Sequence, residues 1–267
     1  MNQIKLYSRF LKVYIKGLLE YRFAFFMDVF VNAFTHLVGF LNIWILLKNF
    51  TDIGGWSYYE IMFLYSVNLL PFGIAGLFVW APMVNLEQMV RDGSFDSILI
   101  KPLSPFAFMI CKGFQHTFLG HIVVAIILFC SSIKNSNYIQ NFRAALLVGL
   151  ILVCAFIIHS CMMVIISSLS FWIVKTNTLF EIVIYNVRNF VNYPLSIYNI
   201  FIRALLTFLI PYAFVNYYPL SAVKNIQSGD SRGFFLLIIS VGVTMLMLGL
   251  ACGLWKKGIQ HYNSTGS

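Results

Sequence analysis

Residues 91–105, RDGSFDSILIKPLSP, form the longest polar and turn-rich interruption between two apolar segments of this chain. Gly93 is suited to end a helix, and Pro102 and Pro105 prevent one from continuing. Between these residues, Phe95–Ile100 has room for one short helical turn, since the position before a proline disfavours the helical backbone. The pattern predicts a short surface helix held between two longer helices. A simple loop that only reverses the chain would have the same glycine and proline residues.

The composition on either side of this stretch indicates a membrane protein. Of 267 residues, 60% are hydrophobic and 10% are charged, and the mean hydropathy is +0.83, which is more apolar than a soluble domain. Several segments exceed the roughly 20 apolar residues needed to cross about 30 Å of hydrocarbon. They do not alternate with period two, which excludes a transmembrane barrel. The predicted fold class is an all-α polytopic membrane protein.

Six transmembrane helices are predicted in a single domain that covers residues 1–267. A basic amphipathic segment at 1–21 is predicted to lie in the membrane interface as an N-terminal helix, with anionic lipid headgroups as partners. Bracing of a partner subunit, or a simple flank of the first span, fits the same segment. The spans are predicted at about 23–47, 58–81, 106–130, 143–174, 195–217 and 233–255, and the connection at 82–105 is polar.

Two later segments are predicted to form a connection and a re-entrant piece. Residues 175–194 contain Glu181 and Arg188 and are predicted to form a second connection on the amino-terminal side, with a short interfacial helix. Segment 211–232 begins at Pro211 and is partly apolar, which indicates a re-entrant piece that dips into the outer leaflet.

The charge distribution predicts the topology. Six crossings place both termini on one side, where twelve basic residues flank the spans, against five on the other side, and Arg203 is left unassigned. Excess basic residues mark the cytoplasmic side, so both termini and the 82–112 loop are predicted to be cytoplasmic. The net charge of +9 therefore reflects topology. The basic residues form no dense stripe, and no nucleic-acid partner is predicted.

A polar stripe marks the first span. Asp28, Asn32 and His36 are spaced by four residues and share one face of a helix. Lipid does not tolerate such a stripe, which must face other helices or a water-filled path. Hydrogen bonding between helices and a substrate path are both open readings. Asp28 also lies close enough to the interface to be solvated.

Motifs for catalysis and cofactor binding are missing from the sequence. It contains no G-x-x-x-x-G-K-[ST] phosphate loop, no H-E-x-x-H and no G-x-S-x-G. The five cysteines form no C-x-x-C pair, and His116 and His121 are about 140° apart around a helix. We therefore predict no catalytic residues, no metal site and no cofactor bound by this chain.

Three stretches resemble one protein family. Residues 93–105, GSFDSILIKPLSP, fit the pattern G-x-x-D-x-x-L-x-(K/R)-P-x-x-P. This pattern is typical of a subgroup of ABC-2 family permeases, which are membrane subunits of bacterial ATP-binding-cassette transporters. The subgroup often has arginine where this chain has Lys101. The stretches IPYAF with YYP at 210–219, and WKKGIQHYNSTGS at 255–267, are similar in the same order.

The resemblance implies a type V exporter-like permease fold in the bacterial cytoplasmic membrane. It implies a dimer of two permeases, of the same or different chains, and two ABC ATPase subunits that bind ATP and Mg. The implied cargo is hydrophobic or amphipathic: a drug, peptide, lipid or glycan. The residues it assigns to coupling with the ATPase are Gly93, Phe95, Asp96, Ile98, Leu99, Lys101 and Pro102. Those it assigns to an outer gate or re-entrant region are Pro211, Tyr212, Tyr217, Tyr218 and Pro219.

Two other classes of protein fit the hydropathy profile. An ion-coupled secondary carrier or channel would favour intramembrane carboxylates and inverted repeats, and the two halves show no clear repeat. A membrane lipid-modifying enzyme would need a cluster of Asp, Glu or His at one interface, and the sequence shows no such cluster.

Overall fold

The structure is a computed structural model that describes residues 17, 20–49, 52–136, 138–173 and 175–263. Most residues in these ranges are helical, and the described part of the chain has one isolated bridge, between Ile53 and Trp56, in place of any strand. The protein is therefore an all-α polytopic membrane protein, as predicted. The interfacial helix predicted over 1–21 lies outside the described residues, apart from positions 17, 20 and 21.

Among the residues that the structure describes, four helical segments are long and apolar enough to cross a membrane: Arg22–Ile45, Tyr58–Arg91, Phe142–Phe171 and Arg232–His261. The α-helices are α1 (Arg22–Asn49), α2 (Tyr58–Ala75), α3 (Ala81–Arg91), α4 (Asp96–Leu99), α5 (Pro105–Lys112), α6 (Leu119–Ser132), α7 (Phe142–Ser168), α8 (Asn177–Phe180), α9 (Ile200–Ala204), α10 (Tyr217–Gln227) and α11 (Arg232–His261). A π-helical turn at Gly76–Trp80 joins α2 and α3 into one span.

Side chains before the helices set where several of them begin. The Ser104 hydroxyl accepts a hydrogen bond from the Ala107 amide, and Pro105 occupies the first position of α5. The Asn141 side chain accepts from the Ala144 amide at 2.9 Å and starts α7. These caps supply partners for amides that the helix itself leaves unpaired.

The third span is broken, in contrast to the single helix predicted over 106–130. Pro105–Lys112 and His116–Ser132 meet at a bend of 67°. The Gln115 amide at the break donates to the Leu77 carbonyl of the π turn at 2.9 Å. A backbone group freed by the bend is thus paired across helices, which a hydropathy profile does not reveal.

The two ends of the helix bundle are distinguished by their contacts. At one end, the Phe95 ring packs against Phe171 and Tyr262, and we call this the Gly93 end. At the other end, which we call the Gly54 end, the Trp56 ring packs against Tyr138 and Tyr217. Each end has its own apolar core, and both include residues of the Tyr58–Arg91 span.

Residues 177–197 run from the Gly93 end to the Gly54 end. At their start, the Asn177 amide donates to the Glu87 carboxylate at 2.6 Å, near the end of α3. At their close, the Ser196 hydroxyl donates to the Gly54 carbonyl at 2.9 Å. About twenty residues in helical conformations reach about 30 Å, which is enough to cross the hydrocarbon. The cytoplasmic connection predicted for 175–194 is therefore wrong, because this segment is the fifth crossing.

The crossing was missed because its backbone is irregular and its side chains are partly polar. It consists of α8, a π-helical stretch at Glu181–Asn186 and a 3-10 stretch at Val187–Asn192. The Asn68 side chain in the middle of α2 donates to the Asn192 side chain at 2.7 Å. Asn192, one of the polar residues that suggested a water-exposed loop, is thus paired with a spanning helix instead.

The fifth spanning helix predicted over 195–217 is also wrong, because these residues belong to a hairpin. Ile200–Leu209 and Tyr212–Gln227 meet at a bend of 79°. Near the start, the Arg203 guanidinium donates to the Ser196 carbonyl at 2.7 Å. An apolar segment of this length can either cross the membrane or enter and leave it on the same side as a re-entrant pair. Its composition does not distinguish the two.

Both ends of this hairpin lie at the Gly54 end. The Gln227 side chain donates to the Tyr138 carbonyl at 3.0 Å, whereas the tip reaches the middle of the bundle, where Tyr212 lies beside His159. Pro211 sits at the bend, where its missing amide ends the helix. The hairpin places Arg203 at the Gly54 end, and the fifth crossing places Arg188 inside the bundle. The side of the membrane that carries the termini still has more basic residues than the other side.

Candidate functional site

The segment at the Gly93 end folds as a short helix between two spans. Gly93 has φ +74°, a left-handed conformation that glycine adopts without a steric penalty, and it follows the end of α3. The Phe95 amide donates to the Met89 carbonyl at 3.1 Å, which folds the segment back onto α3. The Asp92 side chain accepts from the Ser94 amide at 3.0 Å, and hydrogen bonds from the Ser94 side chain and from this amide lower the pKa of Asp92.

Phe95 and Ile98 face the interior of the protein. Phe95 is 0% exposed, and its ring packs edge-to-face on Phe171 and on Tyr262 at 5.5 and 5.2 Å between centroids. Ile98 is also buried. Neither side chain is available to a partner protein, so these two members of the predicted coupling set anchor the helix.

The opposite side of α4 is exposed to solvent. Leu99 is 37% exposed and Ile100 is 80% exposed, and Lys101 and Pro102 are exposed with them. Asp96 is partly exposed and lies near Tyr262. Burial, together with the neighbouring carboxylates of Asp96 and Asp92, raises the pKa of Tyr262 to about 12. The segment thus combines a buried anchor with an exposed apolar surface, as a docking element requires.

A cleft opens beside this helix. It has a volume of about 550 Å³ and lies between α3, α4 and α5. Asn85, Ser97, Lys101 and Lys112 contribute polar groups to its lining. The cleft continues the exposed surface of α4 toward the first turns of the third span.

The polar stripe of α1 faces α6. The Asp28 carboxylate lies 3.1 Å from His116 Nε2, and the His36 ring lies 3.9 Å from the His121 ring, centroid to centroid. Asn32 donates its side-chain amide to the Asp28 carbonyl within α1. These contacts support helix packing as the role of the stripe.

The centre of the bundle holds a buried arginine that the sequence reading placed at the surface. Arg188 is 3% exposed, its guanidinium carbon lies 3.7 Å from the centroid of the Phe72 ring, and its Nε donates to the Ile184 carbonyl. None of the ion pairs in the described part of the chain includes Arg188. The Phe72 ring, the Ile184 carbonyl and the side-chain oxygen of Asn189, at 3.5 Å, are the partners of this charge.

A periodic signal could have shown that the stretch around Arg188 is helical. Asn186, Asn189 and Asn192 recur every three residues around Arg188 in an otherwise apolar stretch, which is the pattern of one polar face on a helix. The side-chain oxygen of Asn189 accepts from the side-chain amide of Asn192 at 3.4 Å. The face is thus organised within the crossing itself.

The predicted outer-gate residues lie on the hairpin at two different depths. Tyr212 is fully buried, and its ring centroid lies 5.5 Å from that of His159 in the middle of the bundle. Tyr217 packs on Trp56 at the Gly54 end, and the Tyr218 hydroxyl lies 3.1 Å from the Thr207 hydroxyl. Pro211 is at the bend, and Pro219 is buried in α10. Tyr212 therefore lies deeper in the bundle than Tyr217.

The described ranges contain no candidate metal site. They contain no group of three or more His, Cys, Asp or Glu side chains that could hold a metal ion. The five cysteines are all free, and two of them, Cys154 and Cys161, are buried. Thiols packed in this way behave as small apolar side chains.

These features define a multi-pass helical membrane protein with a re-entrant hairpin at one end and a short anchored helix at the other. Residues 31–266 match the family described as ABC-2 family transporter protein, and the chain belongs to that family. It is therefore a membrane component of an ABC transporter rather than an enzyme, and the family implies association with ABC ATPases. No curated protein and no solved structure matches the chain.

Proposed function

We propose that this chain is the permease subunit of a bacterial ABC exporter and that its ATPase partners dock on the exposed side of α4. The observation that carries the proposal is the division of one short helix into two surfaces. Ile100 is 80% exposed, whereas Phe95, five residues earlier, is 0% exposed. An apolar surface fixed to the protein from behind supports a docking role at the Gly93 end.

Contacts behind the helix support transmission of force into several spans. Gly93 joins α4 to α3, Phe171 follows α7, and Tyr262 follows α11. Movement of α4 would therefore act on the second, fourth and sixth crossings together. The fifth crossing is tied to the same end, because Glu87 accepts hydrogen bonds from the Thr176 and Asn177 amides at 2.7 and 2.6 Å.

The proposed assembly contains two ATPase subunits, which bind ATP and Mg, and a second permease that is either another copy or a different chain. The Gly93 end and both termini would be cytoplasmic in the bacterial cell membrane, as the excess of basic residues there supports. In α1, 6% of the residues in the spanning window are buried. That leaves α1 available to lipid and to the second permease.

In the proposed cycle, ATP binding closes the two ATPases, and α4 transmits the movement to the spans. The path for cargo lies between two permeases and opens outward beside the hairpin Ile200–Gln227. A hydrophobic or amphipathic cargo, such as a drug, peptide, lipid or glycan, suits a path between apolar helices. Asp28, Asn32 and His36 hold α1 against α6 in this scheme, since their contacts lie there.

The test is co-purification of the tagged chain in mild detergent, with bound subunits identified by mass spectrometry and ATP hydrolysis measured in lipid nanodiscs. Wild type is compared with Leu99→Glu plus Ile100→Glu. Phe142→Glu, which changes a residue 78% exposed at the Gly54 end, is the matched control. Loss of the ABC ATPase from the double variant alone is expected. Equal recovery of the ATPase from all three proteins would refute docking on α4.

A further inference from the structure

A second cleft lies between the third, fourth and sixth spans, toward the Gly93 end. It has a volume of about 750 Å³, within the range of about 300–1,000 Å³ typical of ligand sites. Its walls are apolar and come from four parts of the chain, among them Val79, Phe106, Val164, Leu248 and Trp255. We call it the α5–α7–α11 groove. Its position on spanning helices makes it a groove for an apolar chain.

The charge at the groove is confined to its mouth. Lys256 is the charged residue among those that line it, and Lys256 is exposed at the end nearer the cytoplasmic face proposed above. Along α11, Leu248 and Lys256 are eight residues apart, which corresponds to about 12 Å of helix. An apolar groove of this length with one cation at the interface is complementary in shape and charge to an anionic lipid whose tail points inward and whose phosphate points outward.

We propose that the α5–α7–α11 groove binds one anionic phospholipid, with an acyl chain between the helices and the phosphate bound by Lys256. Each methylene of the acyl chain that is buried against the apolar walls adds to the binding free energy, and the attraction between the phosphate and the lysine at the surface adds to it further. Charge complementarity selects a phospholipid over an uncharged apolar molecule. The site does not depend on which cargo the transporter carries.

The lipid would contact the segment that leaves α4. Ser104, Pro105 and Phe106 line the groove, and the Phe106 ring packs edge-to-face on Trp255 at 5.3 Å between centroids. Pro105 is the first residue of α5, six residues after the end of α4. A bound lipid therefore braces the start of the third span against α11.

The experiment is native mass spectrometry of the purified full chain with an equal mixture of phosphatidylglycerol and phosphatidylcholine of the same acyl chains. We expect wild type to retain one phosphatidylglycerol in preference to phosphatidylcholine. Lys256→Glu should reduce that preference about fivefold to tenfold, given about 1 kcal/mol per basic residue near a membrane surface. Lys257→Glu is the matched control, because Lys257 is exposed on the same helix and does not line the groove.

A third variant tests the apolar part of the site. Cys252 is exposed and lines the groove, so Cys252→Trp fills it from the accessible side and should remove both lipids. Each variant is first shown to match the wild-type melting temperature in lipid-free detergent. Equal retention of the two lipids by wild type, equal losses in Lys256→Glu and Lys257→Glu, or full binding by Cys252→Trp would each overturn the proposal.

Discussion

The ring of Phe95 meets the ring of Tyr262 edge-to-face, with 5.2 Å between their centroids. Phe95 belongs to the segment between the second and third spans, and Tyr262 follows the last helix, so the contact joins distant parts of the chain. Edge-to-face aromatic pairs contribute about 0.5–1.5 kcal/mol beyond the burial of their surface. The position of α4 is therefore determined by the carboxyl end of α11.

Replacement of Phe95 by alanine should destabilise the protein. The side chain is 0% exposed and contacts two other rings, and a buried Phe→Ala change typically costs about 3–5 kcal/mol. Thermal unfolding in detergent measures the effect. Ile100→Ala, at an 80% exposed position of the same segment, should stay within about 0.5 kcal/mol of wild type. If the two variants unfold alike, Phe95 is not the anchor of α4.

Glu87→Ala should loosen the start of the fifth crossing. One carboxylate oxygen of Glu87 accepts from the amides of Thr176 and Asn177, and the removal of this acceptor leaves buried donors unpaired. The expected cost is about 1–3 kcal/mol. Hydrogen exchange over residues 176–180 should rise in the alanine variant. Glu87→Gln retains a carbonyl oxygen and should recover part of the protection, whereas an equal rise in both would show that the oxygen is not the acceptor.

Two substitutions of Arg188 separate the effect of its charge on stability from the effect of its shape. Arg188→Met removes a buried charge that no carboxylate balances in the described part of the chain. Arg188→Lys keeps the charge and loses the planar group over Phe72. Methionine should give the more stable protein, by at least about 1 kcal/mol, because the buried charge is costly. The opposite order of melting temperatures would reveal a counter-ion that the described residues do not supply.

At Gly120, the backbone of α6 packs closely against the backbone of α1. A Cβ at this position would lie 2.6 Å from the Val29 carbonyl oxygen and 2.7 Å from the Ala33 amide nitrogen. Since both atoms are backbone, Gly120→Ala should separate the helices and cost about 1–3 kcal/mol. Gly149→Ala has open space around its Cβ and should be neutral or slightly stabilising. Melting temperatures of the two variants check the difference, and equal stability would place the α1–α6 contact elsewhere.

The sequence was sufficient for the fold class, the family and the position of the short helix. These follow from strong local signals: long apolar runs, and glycine and proline at fixed places around residues 91–105. The roles within that helix were not predictable, because Phe95 packs against Phe171 and Tyr262, which are far away in sequence.

The fifth crossing was not predictable from hydropathy. Glu181, Arg188 and three asparagines made residues 175–194 resemble a water-exposed loop. Inside the bundle, however, Arg188 lies over the Phe72 ring and Asn192 pairs with Asn68. The more apolar stretch that follows was then assigned as the span. Composition measures how well a segment tolerates lipid, but neighbouring helices decide whether it crosses.

The hairpin Ile200–Gln227 enters and leaves the bundle at the same end, so it contributes nothing to the parity of crossings. A chain with a longer hairpin, a shorter one or none would still send α11 through the bilayer in the same direction. The hairpin is thus neutral with respect to topology, although its tip at Tyr212 is packed in the middle of the bundle. The orientation of the other helices, and the face presented to the ATPases, would not change.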